Sequence, residues 1–213
     1  CAISLAMPLS HEGLTEEYQT EENIEKLRNM VLPVFEEKKI SEMEELILKA
    51  REDGDSIGGV IEVMVTGIPA GIGDPFFESM ESELSRMIFS VPATKGIEFG
   101  AGFDIARMTG YEANDEMYYD ADGRVKSYTN NNGGITGGIT NGMPISFKVA
   151  IKPPASIERK QKTVNLETKQ NDILEVRGRH DPVIVPRAVV VIEAATAIVI
   201  LDRLIESQKN RGL

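Results

Sequence analysis

From about Pro186 to Gln208 the chain spells one long helix whose side chains are apolar on nearly every side as far as Leu201. A helix at a protein surface hides only one stripe, so a helix that is apolar all round has to be covered all round. Its expected setting is between two sheets. The apolar run itself, residues 188–201, contains Glu193 and Thr196 and falls short of the ~20 apolar residues that cross a bilayer. No membrane partner is expected.

The covering strands are written upstream. Ile145, Phe147, Val149 and Ile151 alternate with Ser146, Lys148, Ala150 and Lys152, which is the period of a half-buried strand. Residues 56–66 are β-branched and apolar behind Gly58-Gly59. Shorter strands are expected at Ala2-Ile3-Ser4-Leu5-Ala6, at Ile97-Glu98-Phe99 and at residues 173–176. Tyr118-Tyr119, an Asp122-Gly123 turn and residues 125–128 make a hairpin.

Three amphipathic helices complete the pattern. Over residues 15–37, Ile24, Leu27, Met30 and Val31 keep helical spacing until Pro33 interrupts. Ser41 with Glu44 forms a capping box for a second helix, whose face is Met43, Leu46, Ile47 and Ala50. Asp74-Pro75 opens a third, with Phe76, Phe77, Met80, Leu84, Met87 and Ile88 as its stripe and Glu78, Glu81, Glu83 and Arg86 opposite. Residues 12–55 hold 14 acidic and 6 basic side chains, read here as solvated helix faces rather than as a docking surface.

Charge and composition exclude whole classes of function. With 23 Lys and Arg against 34 Asp and Glu, the net charge is −11, so nucleic acid is repelled over most of the surface and any anionic ligand has to be held locally. Cys1 is the one cysteine, which excludes an internal disulfide and fits a reducing compartment. His11 and His180 are the two histidines, far apart in sequence, so no metal is expected. No charged leader with an apolar core is present, and a cytoplasmic location is expected. The start at Cys1, without an initiator methionine, leads us to expect a fragment.

Familiar site motifs fail one by one. Gly100-Ala101-Gly102-Phe103-Asp104-Ile105 follows a strand but carries Ile105 where a dinucleotide fingerprint has its third small residue. There is no Walker loop, and no nucleophile elbow supports a serine nucleophile. Residues 129–142, with four asparagines and five glycines, read either as a cradle for a phosphate or ring edge or as a mobile surface loop.

Arg179-His180-Asp181-Pro182 then remains, a guanidinium, an imidazole and a carboxylate in consecutive positions. It reads as a functional centre or as a structural cluster in which Asp181 or Asp202 neutralises Arg179 and His180 caps a strand end. Its company favours the first. Gly54-Asp55-Ser56-Ile57-Gly58-Gly59-Val60, Gly67-Ile68-Pro69-Ala70-Gly71-Ile72-Gly73-Asp74-Pro75, Lys95-Gly96-Ile97-Glu98-Phe99-Gly100, Asn132-Gly133-Gly134-Ile135-Thr136-Gly137-Gly138-Ile139-Thr140-Asn141-Gly142, Lys152-Pro153 with Ser156-Ile157, and Arg179-His180-Asp181-Pro182 occur in this order. Together, over about residues 41–206, they resemble chorismate synthase.

The resemblance implies an α+β fold in which antiparallel β-sheets pack around central helices, a β-α-β sandwich incomplete at its N-terminus. Residues 1–40 would be a weakly family-like strand and acidic helix, 41–208 the family core and 209–213 a tail. It also implies a lyase that removes phosphate, in a trans-1,4 sense, from 5-enolpyruvylshikimate 3-phosphate to give chorismate. Reduced FMN is the implied cofactor, with no net redox change. Whether NADPH or an outside donor reduces the flavin stays open, and the implied assembly is a homotetramer.

Residue by residue, the resemblance puts Pro92 and Ala93 at a flavin-contacting turn and Gly137 in the glycine loop that reaches the cofactor. Lys152, Pro153, Pro154, Ala155 and Ser156 form the segment toward the flavin phosphate. It places Arg179 against FMN and substrate anions, and Asp181 near the flavin's reactive edge as the catalytic carboxylate. Independently of any family, a departing phosphate needs cationic partners, and Arg179 and Lys152 are of the right type.

Departures from the family pattern are visible. Pro154 stands where a threonine is common, and Asn131 where a histidine is often seen. The family's Gly-Glu-Ser-His-Gly and Arg-Ser-Ser-Ala-Arg-Glu-Thr segments have no counterpart in residues 1–213. Two expectations result: part of a chorismate synthase, or a catalytically incomplete folding and oligomerisation module with at most weak flavin binding.

Overall fold

A computed structural model describes residues 2–6, 20–34, 37–176, 178 and 180–210 of the chain. Ten strands and five helices succeed one another in it. In order they are β1 (Ala2–Ala6), α1 (Glu21–Arg28), α2 (Glu37–Glu52), β2 (Gly59–Val65), α3 (Met80–Ser90), β3 (Thr94–Phe99) and α4 (Gly110–Ala113). Then come β4 (Met117–Tyr119), β5 (Val125–Ser127), β6 (Ile135–Thr136), β7 (Ile139–Thr140), β8 (Ile145–Ile151), β9 (Gln161–Asn165), β10 (Gln170–Leu174) and α5 (Val185–Asn210).

The main sheet has the order β1-β2-β8-β3, and every ladder among the described strands is antiparallel. The α+β expectation holds. The alternation read from residues 145–151 sets the sheet's two faces: Ile145, Phe147, Val149 and Ile151 are buried with Ile61, Val63 and Val65 of β2. On the other face Lys148 pairs across to Glu98 at 3.9 Å. Three small hairpins, β4-β5, β6-β7 and β9-β10, stand outside this sheet.

Helices α3 and α5 cover the apolar face. Met80, Leu84 and Ile88 of α3 are fully buried, as their spacing predicts. Phe76 and Phe77 are not part of that stripe. They lie in a separate 3₁₀ turn, Phe76–Glu78, and are 86% and 92% exposed, because the α-helix begins only where the Ser79 hydroxyl accepts the Ser82 N–H. Glu83, assigned to the solvent side, is instead nearly buried and paired with Arg86.

Two helix starts also differ from the sequence reading. α2 begins at Glu37, so Ser41 lies one turn inside it and does not cap it. The first helix is shorter than residues 15–37: it is capped by Thr20, ends at Arg28, and leaves Val31 exposed beyond it. The part of that prediction before Thr20 lies outside the described residues.

α5 is the long helix expected, but one side of it is covered and the other is not. Val185, Val189, Ile192, Ala195, Thr196, Val199 and Ile200 are buried against sheet and α3, at the i, i+3, i+4 spacing of one face. Thr196 is accommodated there by donating its hydroxyl to the Ile192 carbonyl at 2.7 Å. Val190, Val191, Ile198, Leu201 and Ile205 on the remaining faces are 44–64% exposed. The second sheet expected over them is not supplied by the described residues.

Candidate functional site

The ladder register gathers three segments at one end of the sheet, and a bridge adds a fourth. Ile151, the last residue of β8, stands opposite Gly59 on one side and Thr94 on the other. Since both neighbours run antiparallel to β8, the chain entering β2, the chain entering β3 and the chain leaving β8 all surface at the same edge. Residues 54–58, 92–93 and 152–159 are therefore neighbours.

Backbone hydrogen bonds join them. Ala93 sits at φ 74, outside the region a Cβ prefers, and its carbonyl accepts the Lys152 N–H at 2.9 Å. Holding a non-glycine residue there costs of order 1 kcal/mol, so the turn at Pro92-Ala93 is held by its surroundings. The Ile57 N–H donates to the Pro182 carbonyl at 2.8 Å, and Ile57 pairs with Val183 in a parallel bridge. That bridge brings residues 180–183 to the same edge.

Most predicted site residues are thus placed together. Pro92, Lys152, Pro153, Ala155, Ser156 and Asp181 are exposed or half-exposed on this edge, while Ala93, Pro154 and His180 are half-buried. Arg179 lies outside the described residues, as does its assignment to FMN and substrate. Gly137 stands apart, at the tip of the β6-β7 hairpin. Its neighbour Gly138 accepts the N–H of Met80, so the length of α3, roughly 16 Å, separates that tip from Pro92.

The charges at the edge have definite partners. Asp181 pairs with Arg187 of the first turn of α5, Oδ2 to Nη2, at 2.6 Å. Asp202 pairs with Arg203, and the expected pairing of Asp181 or Asp202 with Arg179 lies outside the described residues. Lys152 has no ion pair among the described residues. With Ser156 on the same segment, it offers the donor set of an anion site on an otherwise acidic protein. The Nε2 of His180 is buried without a hydrogen bond among the described residues.

Residues 129–142 do not form a loose loop. They are a hydrogen-bonded frame. Asp115 accepts from Thr129 Oγ1 at 2.7 Å, Asn131 N–H at 2.7 Å, Asn132 N–H at 3.0 Å and Asn132 Nδ2 at 2.8 Å. Partial burial pushes the Asp115 carboxyl up, but the bonds from Asn132, Thr129 and Asn131 outweigh it and hold the carboxyl below its usual range. Gly133 and Gly138 are there because backbone passes where a Cβ would be, 2.5 Å from Gly100 N and 2.7 Å from Asp74 O respectively. At Gly137 nothing lies within 4 Å of that position.

Sequence reading missed Asp55, Ser56, Arg159 and Asp115 as parts of these frames. Asp55 and Ser56 do stand in a quoted motif, the one signal available; Arg159 and Asp115 carry none, since their partners are 104 and 14–17 residues away. Two clefts, about 80 Å³ between α1 and α5 and about 240 Å³ on the outer sheet face near Phe103, touch none of the predicted site residues. No described helix is long and apolar enough to cross a membrane.

The comparisons with known proteins bear on the family and the fold. The chorismate synthase family model matches residues 6–205. The chain is 47% identical over 197 residues to the chorismate synthase of Methanocaldococcus jannaschii, covering 90% of this chain and 51% of that protein. It is 50% identical over 166 residues to that of Methanothermobacter thermautotrophicus, covering 78% and 44%. A crystal structure of chorismate synthase superimposes with a TM-score of 0.71 at 30% identity, over 96% of this chain and 57% of that one. The chain spans about half the length of the curated relatives it matches. Matched motifs, a converged edge and a shared fold lead to one conclusion: the chain belongs to the chorismate synthase family.

Proposed function

We propose that the chain forms the flavin-binding wall of a chorismate synthase, which removes phosphate from 5-enolpyruvylshikimate 3-phosphate in a trans-1,4 elimination. The observation that carries this reading is the meeting of residues 92–93, 152–156 and 180–183 at one sheet edge through backbone bonds. The residues present fit the anionic end of FMN. Lys152 is an exposed ammonium without an ion pair among the described residues and Ser156 an exposed hydroxyl, whereas Pro153 and Pro154 can donate nothing.

When bound, reduced FMN supplies electron density for cleavage of the carbon–oxygen bond. The protein's part is binding and proton handling. Lys152 Nζ and Ser156 Oγ hold the cofactor phosphate, Pro92 and Ala93 border it, and Arg179 holds substrate anions. Asp181, kept oriented at Oδ2 by Arg187, takes part in proton removal at Oδ1. Gly137 reaches the cofactor from the far end of α3. A cytoplasmic homotetramer, with NADPH or an outside donor keeping the flavin reduced, belongs to the same reading.

A second reading rests on a different observation. The chain spans about half of its relatives' length, and its two histidines leave the family's Gly-Glu-Ser-His-Gly motif without a counterpart. In that reading the 213 residues bind flavin weakly and do not turn over. Anaerobic assay of the purified chain with chemically reduced FMN and the phosphorylated substrate separates the two. Turnover would overturn the incomplete reading, and FMN binding without turnover is its expected result. Absence of FMN binding would overturn the flavin wall.

A further inference from the structure

We infer that the loop Gly54-Asp55-Ser56-Ile57-Gly58 is the positioning element of this site, with the Ser56 hydroxyl and the Asp55–Arg159 pair setting the shape of residues 152–159. The inference rests on the flavin-wall reading for what the segment holds, but the clamp itself is built from contacts of this chain alone.

The segment leaving β8 is gripped at successive points. Ser56 Oγ donates to the Pro154 carbonyl at 2.6 Å. The Glu158 N–H donates to the Gly54 carbonyl at 2.9 Å, and Arg159 Nη1 donates to Asp55 Oδ2 at 2.8 Å. The other oxygen of Asp55 accepts the Ser56 N–H at 2.8 Å, so one carboxylate orients both grips. Gly58 closes the contact: a Cβ there would stand 2.4 Å from the Ile151 carbonyl oxygen and 3.0 Å from Pro153 Cδ. A side chain would push the segment away.

The same loop holds the opposite wall. Ile57 bonds Pro182, next to Asp181, so residues 54–58 lie between the anion-holding segment and the carboxylate. Two consecutive prolines explain why such a clamp is needed. Pro153 and Pro154 have no N–H, so no ladder can extend β8 through them, and the chain there is directed by its carbonyls and by the anchored residues 158–159. Ser56 and Asp55 touch neither cofactor nor substrate in this scheme. They act through residues 152–159.

The test uses Ser56→Ala, Ser56→Thr and Arg159→Met in the full chain, read by amide hydrogen exchange without ligand and by equilibrium titration with oxidised FMN. Expected in Ser56→Ala is faster exchange confined to the Glu158 amide, which donates to Gly54, an FMN Kd raised about fivefold and an unchanged unfolding midpoint. Ser56→Thr, which keeps the hydroxyl, should restore both readouts to within about twofold of the parent. Arg159→Met should free the same Glu158 amide and raise the Kd by less than Ser56→Ala. Unaltered exchange at the Glu158 amide in Ser56→Ala would overturn the clamp, as would exchange accelerated across the whole sheet, which marks a merely structural role. If exchange responds as expected but the parent itself binds no FMN, the clamp stands and the flavin reading of the segment falls.

Discussion

The two ends of the main sheet differ in how densely their contacts are concentrated. At the Ile151 end, a few backbone bonds join the exposed segments, and separate side-chain contacts tie them further: Ser56 to Pro154, Asp55 to Arg159, Asp181 to Arg187. At the Ile145 end, Asp115 binds three residues of the asparagine-glycine segment at once, and backbone packs on backbone at Gly133 and Gly138. The first is adjustable and the second is a frame. Removing a contact from the frame should cost stability, whereas removing one from the edge should cost ligand geometry and leave the fold in place.

The sharpest way to break that contrast is Gly133→Ala. Its φ of 63 and the 2.5–2.6 Å approach of Gly100 N and Ser146 O together predict a loss of about 2–4 kcal/mol in denaturant unfolding. A midpoint close to the parent's would show that the frame yields. Asp115→Ala comes next, at about 1–3 kcal/mol, because the Asn131 and Asn132 N–H groups lose their acceptor.

The same carboxyl gives a pH test. Its proton affinity is lowered in the folded state, so its stabilisation is complete above the ordinary carboxylate range and is lost as pH falls through the lowered value. Acid unfolding of the parent should therefore be steeper than that of Asp115→Asn, and identical slopes would remove Asp115 from the frame. Gly137→Ala, with a φ of 62 but open space around it, should cost only about 1 kcal/mol. Arg159→Met, at the other end, should leave the unfolding midpoint where it is, since its pair with Asp55 is exposed. The Asp55 carboxyl is held below its usual range chiefly by the Arg159 hydrogen bond and then by the Ser56 N–H, so this tie persists at neutral pH and is released only in acid.

Much of this was legible in advance where one period decides one face. The alternation over residues 145–151 placed β8, and the Asp122-Gly123 turn placed β4 and β5. Met80, Leu84 and Ile88 placed the inner face of α3, while Phe76 and Phe77 misled because their spacing ignores the break at Ser79. The site was legible in parts: Lys152, Ser156 and Asp181 stood out by chemistry and motif. Ser56, Asp55 and Arg159 did not, since a serine and an aspartate after a glycine look like any turn until their partners, some 100 residues on, are in view.

By itself, the order of residues determined the main strands and the longer helices, the apolar side of most of them, and which family the chain resembles. Those properties are local, set by side-chain period and by motif. Tertiary structure alone decided that three loops meet beside Ile151, that Gly137 lies a helix-length away, and that α5 is covered on one side among the described residues. The reason is register. An antiparallel ladder converts positions far apart in sequence into neighbours, and no local pattern states which rungs will face each other.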